Sequence, residues 1–201
     1  MNRPNCLQEI KKRIEAAEYG SVFVASDFAD VAESKRINDA LERLDANGTI
    51  RRIIRGVYYK PKYSKLLGEY VAPSPDLVAH AIARNYGWTI VPCGDTALNL
   101  MGMSTQVPAV WSYVSDGAYK EYSYGLATIK YKHTTNKEIS KLSPKTALAI
   151  QALKTLGKER IDEDVIETIR SATTASERKS MLAEARYATA WIYEVIKSIC
   201  R

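Results

Sequence analysis

The stretch Thr49-Ile50-Arg51-Arg52-Ile53-Ile54-Arg55-Gly56-Val57-Tyr58-Tyr59-Lys60-Pro61 contains two runs of β-forming residues that pivot at Arg55-Gly56 and stop at a proline. Such a pair reads as a short hairpin. What stands before it decides the fold. Asn47-Gly48 is a helix stop, and the preceding Ile37, Ala40, Leu41 and Leu44 fall on one helical face with Ser34 as a cap candidate. Upstream, Ser26 and Asp27 open a brief helix carrying Phe28, Val31 and Ala32, and Val22-Phe23-Val24 is a short strand. Leu7, Ile10, Ile14 and Ala17 give an amphipathic first helix that Gly20 ends. The order helix, strand, helix, helix, hairpin is that of a winged helix-turn-helix. There the third helix enters the major groove and the hairpin lies as a wing against the backbone.

Charge is concentrated on the same stretch. Residues 34 to 65 hold nine Lys/Arg against three acids, a net +6 that equals the net charge of all 201 residues. Cations on a groove-fitting helix and a wing replace counterions on phosphates, so the partner this predicts is double-stranded DNA. With Ile37, Leu41 and Leu44 inward, the helix presents Ser34, Lys35, Arg36, Asn38 and Arg43. Arginine suits guanine edges and asparagine suits adenine. From the hairpin and its flank, Arg51, Arg52, Arg55, Tyr58, Lys60 and Lys62 complete the expected DNA-contacting set.

Residues 62 to 75, with Gly68, Pro73 and Pro75, read as a linker, which places a domain boundary near residue 70. After it come a helix from Asp76 stopped by Gly87, a strand Trp88 to Pro92, a helix from Asp95-Thr96, and strands Ala109 to Ser115 and Gly125 to His133. Helices then run from Ser143-Pro144 to Gly157, from Asp162, and from the capping box Thr174-Ala175-Ser176-Glu177 to the chain end. The expected class is α+β: a winged helix-turn-helix over 1–70, and a mixed α/β domain over 71–201 that ends in helices.

Catalytic patterns are weak. His80 and His133 have no motif neighbours, Cys6, Cys93 and Cys200 have no metal-ligand spacing, and the phosphate-cradling glycine motifs are missing. Pro75-Asp76 with Thr128-Ile129-Lys130 resembles a nuclease pattern but places Thr128 where a metal-binding carboxylate is needed. Gly94-Asp95 reads as a plain helix start, with a nucleotide-handling Asp95 as the less favoured reading. Trp111, Tyr113, Tyr119, Tyr122, Tyr124 and Tyr131 suit either a protein-binding surface or the packing of their own sheet. No catalysis, metal or cofactor is expected. Met1-Asn2-Arg3-Pro4-Asn5-Cys6 leads into a charged helix and no long apolar window follows, so a cytoplasmic protein with no membrane partner is expected.

The run Arg52-Ile53-Ile54-Arg55-Gly56-Val57-Tyr58, with Leu41-Glu42-Arg43-Leu44 in the helix before it, resembles the amino-terminal domain of AbiEi-type antitoxins. Ala72-Pro73-Ser74 and Gly94-Asp95-Thr96-Ala97-Leu98-Asn99-Leu100-Met101-Gly102, followed by the two strands, resemble that family's second domain. The resemblance covers about residues 8 to 135. It implies a bacterial type IV toxin-antitoxin or abortive-infection operon. The first domain would bind inverted repeats in its own promoter as monomer or dimer, through Arg55 and through Lys35, Arg36 and Arg43. The second would oppose a nucleotidyltransferase-like toxin. A winged-helix regulator or adaptor with no toxin partner is the alternative.

Overall fold

The structure, a computed structural model, describes residues 5–134, 139 and 141–201. Met1, Asn2, Arg3 and Pro4, read above as a polar lead-in, lie outside the described residues. The fold is α+β, and the chain divides into two compact units, Met1–Trp88 and Thr89–Arg201.

The first unit begins with helix α1 (Cys6–Ala16), strand β1 (Val22–Val24) and a 3-10 turn (Ala25–Phe28), followed by helix α2 (Ser34–Ala46) and strands β2 (Arg51–Ile54) and β3 (Val57–Tyr59). The brief second helix expected from Ser26-Asp27 is thus one 3-10 turn. Asp27 accepts the Val24 N–H at 2.9 Å and so caps the start of that turn. α2 starts at Ser34 with Glu33 in the cap position, so Ser34 is its first residue rather than its cap. Ile10 and Ile14 of α1 pack with Ile37, Leu41 and Leu44 of α2 and with Phe28, all essentially inaccessible to water. Burial of each such side chain stabilises by about 1.5–3 kcal/mol.

β1, β3 and β2 form an antiparallel sheet in that order. The β2–β3 turn is Arg55-Gly56, where Gly56 takes φ +77°, a conformation that penalises a Cβ. Asp45 at the end of α2 accepts the Arg52 N–H at 3.0 Å and sets where β2 begins.

The stretch read as a linker instead forms a second hairpin, β4 (Lys62–Ser64) and β5 (Glu69–Val71). Helix α3 (Pro75–Tyr86) follows and counts with the first unit. Arg84 donates to both Asp27 oxygens, at 2.9 and 3.2 Å, and to the Val22 carbonyl at 3.2 Å. The division therefore falls after Trp88 and not near residue 70, because a buried face packs α3 on β1 and an ion pair ties it to the 3-10 turn.

The second unit is built on a four-stranded sheet ordered β6 (Ile90–Pro92), β7 (Val110–Ser115), β9 (Ala127–His133), β8 (Lys120–Tyr124). β7 and β9 run parallel and the other pairs antiparallel. Strand β8 is an addition to the two strands expected there. Helix α4 (Asp95–Leu100) joins β6 to β7, and Thr96 Oγ1 accepts the Ser112 N–H at 2.8 Å. The helices α5 (Pro144–Leu156), α6 (Glu163–Ser171), α7 (Ala175–Glu184) and α8 (Ala190–Ile199) bury Leu153, Ile169, Met181, Ile192, Ile196 and Ile199 together. The single final helix expected from residue 175 is broken by a 3-10 turn at Ala185–Tyr187. The break allows both halves to pack on α5, which one straight rod cannot do. Arg170 donates to the Ile199 and Ser198 carbonyls, at 3.2 and 2.8 Å, and so satisfies the open end of α8.

Candidate nucleic-acid interface

α2 carries the first part of the site. Its heptad-like spacing buries Ile37, Ala40, Leu41 and Leu44 and leaves Ser34, Lys35, Arg36, Asn38 and Arg43 exposed, as their positions on the helix demand. Among the described residues, no hydrogen bond or ion pair within the protein engages the side chains of Lys35, Arg36 or Arg43. These three are left to solvent.

The β2–β3 hairpin carries the second part. Arg55 stands exposed at its turn, without a partner among the described residues. Arg51 is exposed, and its guanidinium lies 3.9 Å from the centroid of the Tyr70 ring. Arg52 is exposed with its backbone held by Asp45. Lys62, on β4, is exposed and unengaged, and so is Lys65 at the tip of the next hairpin, which the sequence reading did not include in the site.

Two expected contacts are corrected. Tyr58 is 5% exposed and belongs to the α1–α2 core. Burial raises its phenol above the ordinary tyrosine value, Glu42 adds to this, and the Arg52 guanidinium pulls the other way. All three residues of β3 are buried, and Tyr58 packs in the cluster of the α1 and α2 side chains. Lys60 is engaged elsewhere: its Nζ donates to the Glu15 and Ala17 carbonyls at 2.6 and 2.8 Å, and lies 4.8 Å from the centroid of the Tyr19 ring. An ammonium at the carbonyl end of α1 satisfies groups the helix leaves open, and is withdrawn from any phosphate.

The other candidates resolve into structure. Gly94, with φ +60°, occupies the cap position of the six-residue α4, and Asp95 is its exposed first residue. His80 pairs with Asp76 one helical turn away at 3.7 Å, and His133 Nδ1 lies 2.9 Å from the Gly117 carbonyl. Asp76 and Lys130, from the nuclease-like pattern, engage His80 and Glu121 respectively. Among the described residues no three His, Cys, Asp or Glu side chains gather to hold a metal.

Of the aromatics, Tyr113 and Tyr131 are fully buried at a centroid distance of 6.0 Å, and Trp111 is 7% exposed. Tyr122 packs edge-on to Tyr131, and burial pushes the Tyr124 phenol up to about 12. Only Tyr119 of this group is largely exposed. The strands therefore use most of their aromatics for packing. A cavity of about 660 Å³, lined by Lys141, Leu142, Ile150, Lys154, Glu184, Tyr187, Ala188 and Thr189, had no signal in the sequence. Glu184 is committed there, accepting from the N–H and hydroxyl of Ser143 at 2.8 Å each. Among the described residues no helix is long and apolar enough to cross a membrane.

A family model described as a family of unknown function, DUF6088, matches residues 9–181. No curated protein and no solved structure matches the chain.

Proposed function

The chain belongs to the DUF6088 family, and we propose that it is a double-stranded DNA-binding repressor whose first unit works as a winged helix-turn-helix. One observation carries this reading: among the described residues, four long cations on elements that follow each other in the chain, Lys35, Arg36 and Arg43 on α2 and Arg55 on the β2–β3 turn, are exposed and engaged by no other group. Protein surfaces tolerate unpaired cations, but several on one helix and on the hairpin turn that follows it suit a polyanion. Lys35, Arg43 and Arg55 meet phosphates and set the register, while Arg36 and Asn38 read base edges. Arg51, Arg52 and Lys62 add charge at the rim. The protein acts by binding and not by catalysis, in the cytoplasm. On its resemblance to AbiEi-type antitoxins, the operator is a pair of inverted repeats in its own promoter, and the second unit holds a nucleotidyltransferase-like toxin in check.

The test is repression in cells. The DNA upstream of the gene is fused to a reporter, and the protein is supplied from a second promoter. Supply of the intact protein lowers reporter output, and Arg36→Ala with Arg55→Ala restores it at equal protein level. Unchanged output on supply of the intact protein contradicts the repressor reading.

A further inference from the structure

The β4–β5 hairpin plays no part in this reading except through Lys62, and its surface is unusual for its place. Tyr63, Leu66, Leu67, Tyr70 and Val71 are all exposed, Leu66 to 94% and Leu67 to 62%. Its strands pair only with each other, and a two-stranded hairpin with bare faces is marginal in water. What steadies it is Tyr63 packed edge-on to Tyr70 at 5.3 Å and the Arg51 guanidinium over Tyr70. Arg51 belongs to β2, so the strand pair of the hairpin is tied at Tyr70 to the basic strand of the candidate interface, and its apolar tip is left exposed.

Charge selects the occupant. From Arg51 through Val71 the chain carries Arg51, Arg52, Arg55, Lys60, Lys62 and Lys65 against Glu69 alone, and Lys65 immediately precedes Leu66-Leu67. Two copies meeting through these hairpins bring like charges together, whereas a polyanion is attracted by those of the cations that the protein leaves exposed. We infer that the β4–β5 hairpin is a second DNA arm, entering the minor groove with Leu66 and Leu67 as a wedge between base pairs and with Lys62 and Lys65 on the flanking phosphates. Aliphatic wedges on a basic support unstack a base step and kink the duplex, at least cost where a pyrimidine precedes a purine. This rests on the DNA-binding reading and gives it a mode: the operator is bent as well as contacted.

The experiment uses the full chain and a duplex from upstream of its gene, labelled with a donor and an acceptor dye at its ends, read by energy transfer and by gel shift. The intact protein shifts the duplex and bends it by roughly 20–90°. Leu66→Ser with Leu67→Ser, both at exposed positions, still shifts it but leaves it straight, and Leu66→Met with Leu67→Met keeps the bend. Lys62→Gln with Lys65→Gln lowers the salt dependence of log affinity by about 1.8. A shift without a bend, or a bend unchanged by the serine pair, overturns the arm and leaves the α2 reading standing. Self-association or vesicle binding that the serine pair abolishes while the bend persists overturns it in favour of a second copy or a lipid surface. Absence of any shift overturns both readings.

Discussion

Lys60 and Arg55 lie five residues apart in the same basic stretch, yet their substitution should have opposite consequences. Lys60→Met retains most of the aliphatic stem but removes an ammonium that donates to the Glu15 and Ala17 carbonyls. Hydrogen bonds from a charged group contribute about 1.5–3 kcal/mol when well buried. Lys60 is half-buried, so a loss of about 1–2 kcal/mol is expected, enough to lower Tm by several degrees. Its DNA affinity, extrapolated to conditions where the protein is fully folded, should keep the same salt slope. Arg55→Ala removes an exposed guanidinium with no partner among the described residues; Tm should stay within about 1 °C, and the slope of log affinity against log salt should fall by about 0.9. Calorimetric melts and anisotropy titrations at three salt concentrations measure both quantities on the same samples. A Lys60→Met variant that melts normally but loses salt dependence as Arg55→Ala does would refute the reasoning.

Further outcomes follow from the packing. Leu41→Ala empties a fully buried position between α1 and the 3-10 turn, and urea denaturation should show a loss of about 2–5 kcal/mol; a change under 1 kcal/mol would show that the site collapses or is not core. Arg84 and Asp27 join α3 to the 3-10 turn as a partly exposed pair, so a double-mutant cycle of Arg84→Met and Asp27→Asn should give a coupling of about 0.2–1 kcal/mol, and a zero coupling would deny the pair any part in placing α3. Burial pushes the Glu184 carboxyl up, but the N–H of Ser143 and the hydroxyls of Thr146 and Ser143 outweigh it and hold the group below its ordinary value. A depressed folded-state value stabilises at pH above the ordinary glutamate range and loses that contribution as pH falls through the depressed value. Glu184→Gln should therefore cost stability at pH 7 and cost progressively less below about pH 4, as melts between pH 3 and 7 would show; a pH-independent difference would contradict the ionised cap.

The sequence made most helices of this chain legible because their buried faces recur at helical spacing and their ends carry chemical punctuation. Asn47-Gly48, Gly87 and Thr174-Ala175-Ser176-Glu177 stop or start helices where the structure does. The β2–β3 hairpin was legible for the same reason, as was the outward face of α2. What escaped depends on contacts distant in sequence. β4 and β5 are three residues each with no apolar alternation, and they persist through the Tyr63–Tyr70 and Arg51–Tyr70 contacts. Assignment of α3 to the first unit rests on its buried face packing against β1, with Arg84 reaching Asp27 across 57 positions. The break between α7 and α8 carries no Pro or Gly to announce it, and both halves pack on α5. Within the site, local pattern could place Lys60 in a basic run but could not reveal the α1 carbonyls that take its ammonium. Nor could β-propensity tell that Tyr58 points into the core.

The central claim is that the first unit recognises duplex DNA through α2 and the β2–β3 turn. Its most direct test is a gel-shift titration of the full chain against the DNA immediately upstream of its gene, with excess unrelated duplex as competitor, at low and near-physiological salt. The account predicts a discrete complex that survives the competitor, weakens as salt rises, and is lost when Arg36 and Arg55 become alanine. A protein that leaves this DNA unshifted at both salts, or shifts it equally well with both arginines removed, contradicts the account.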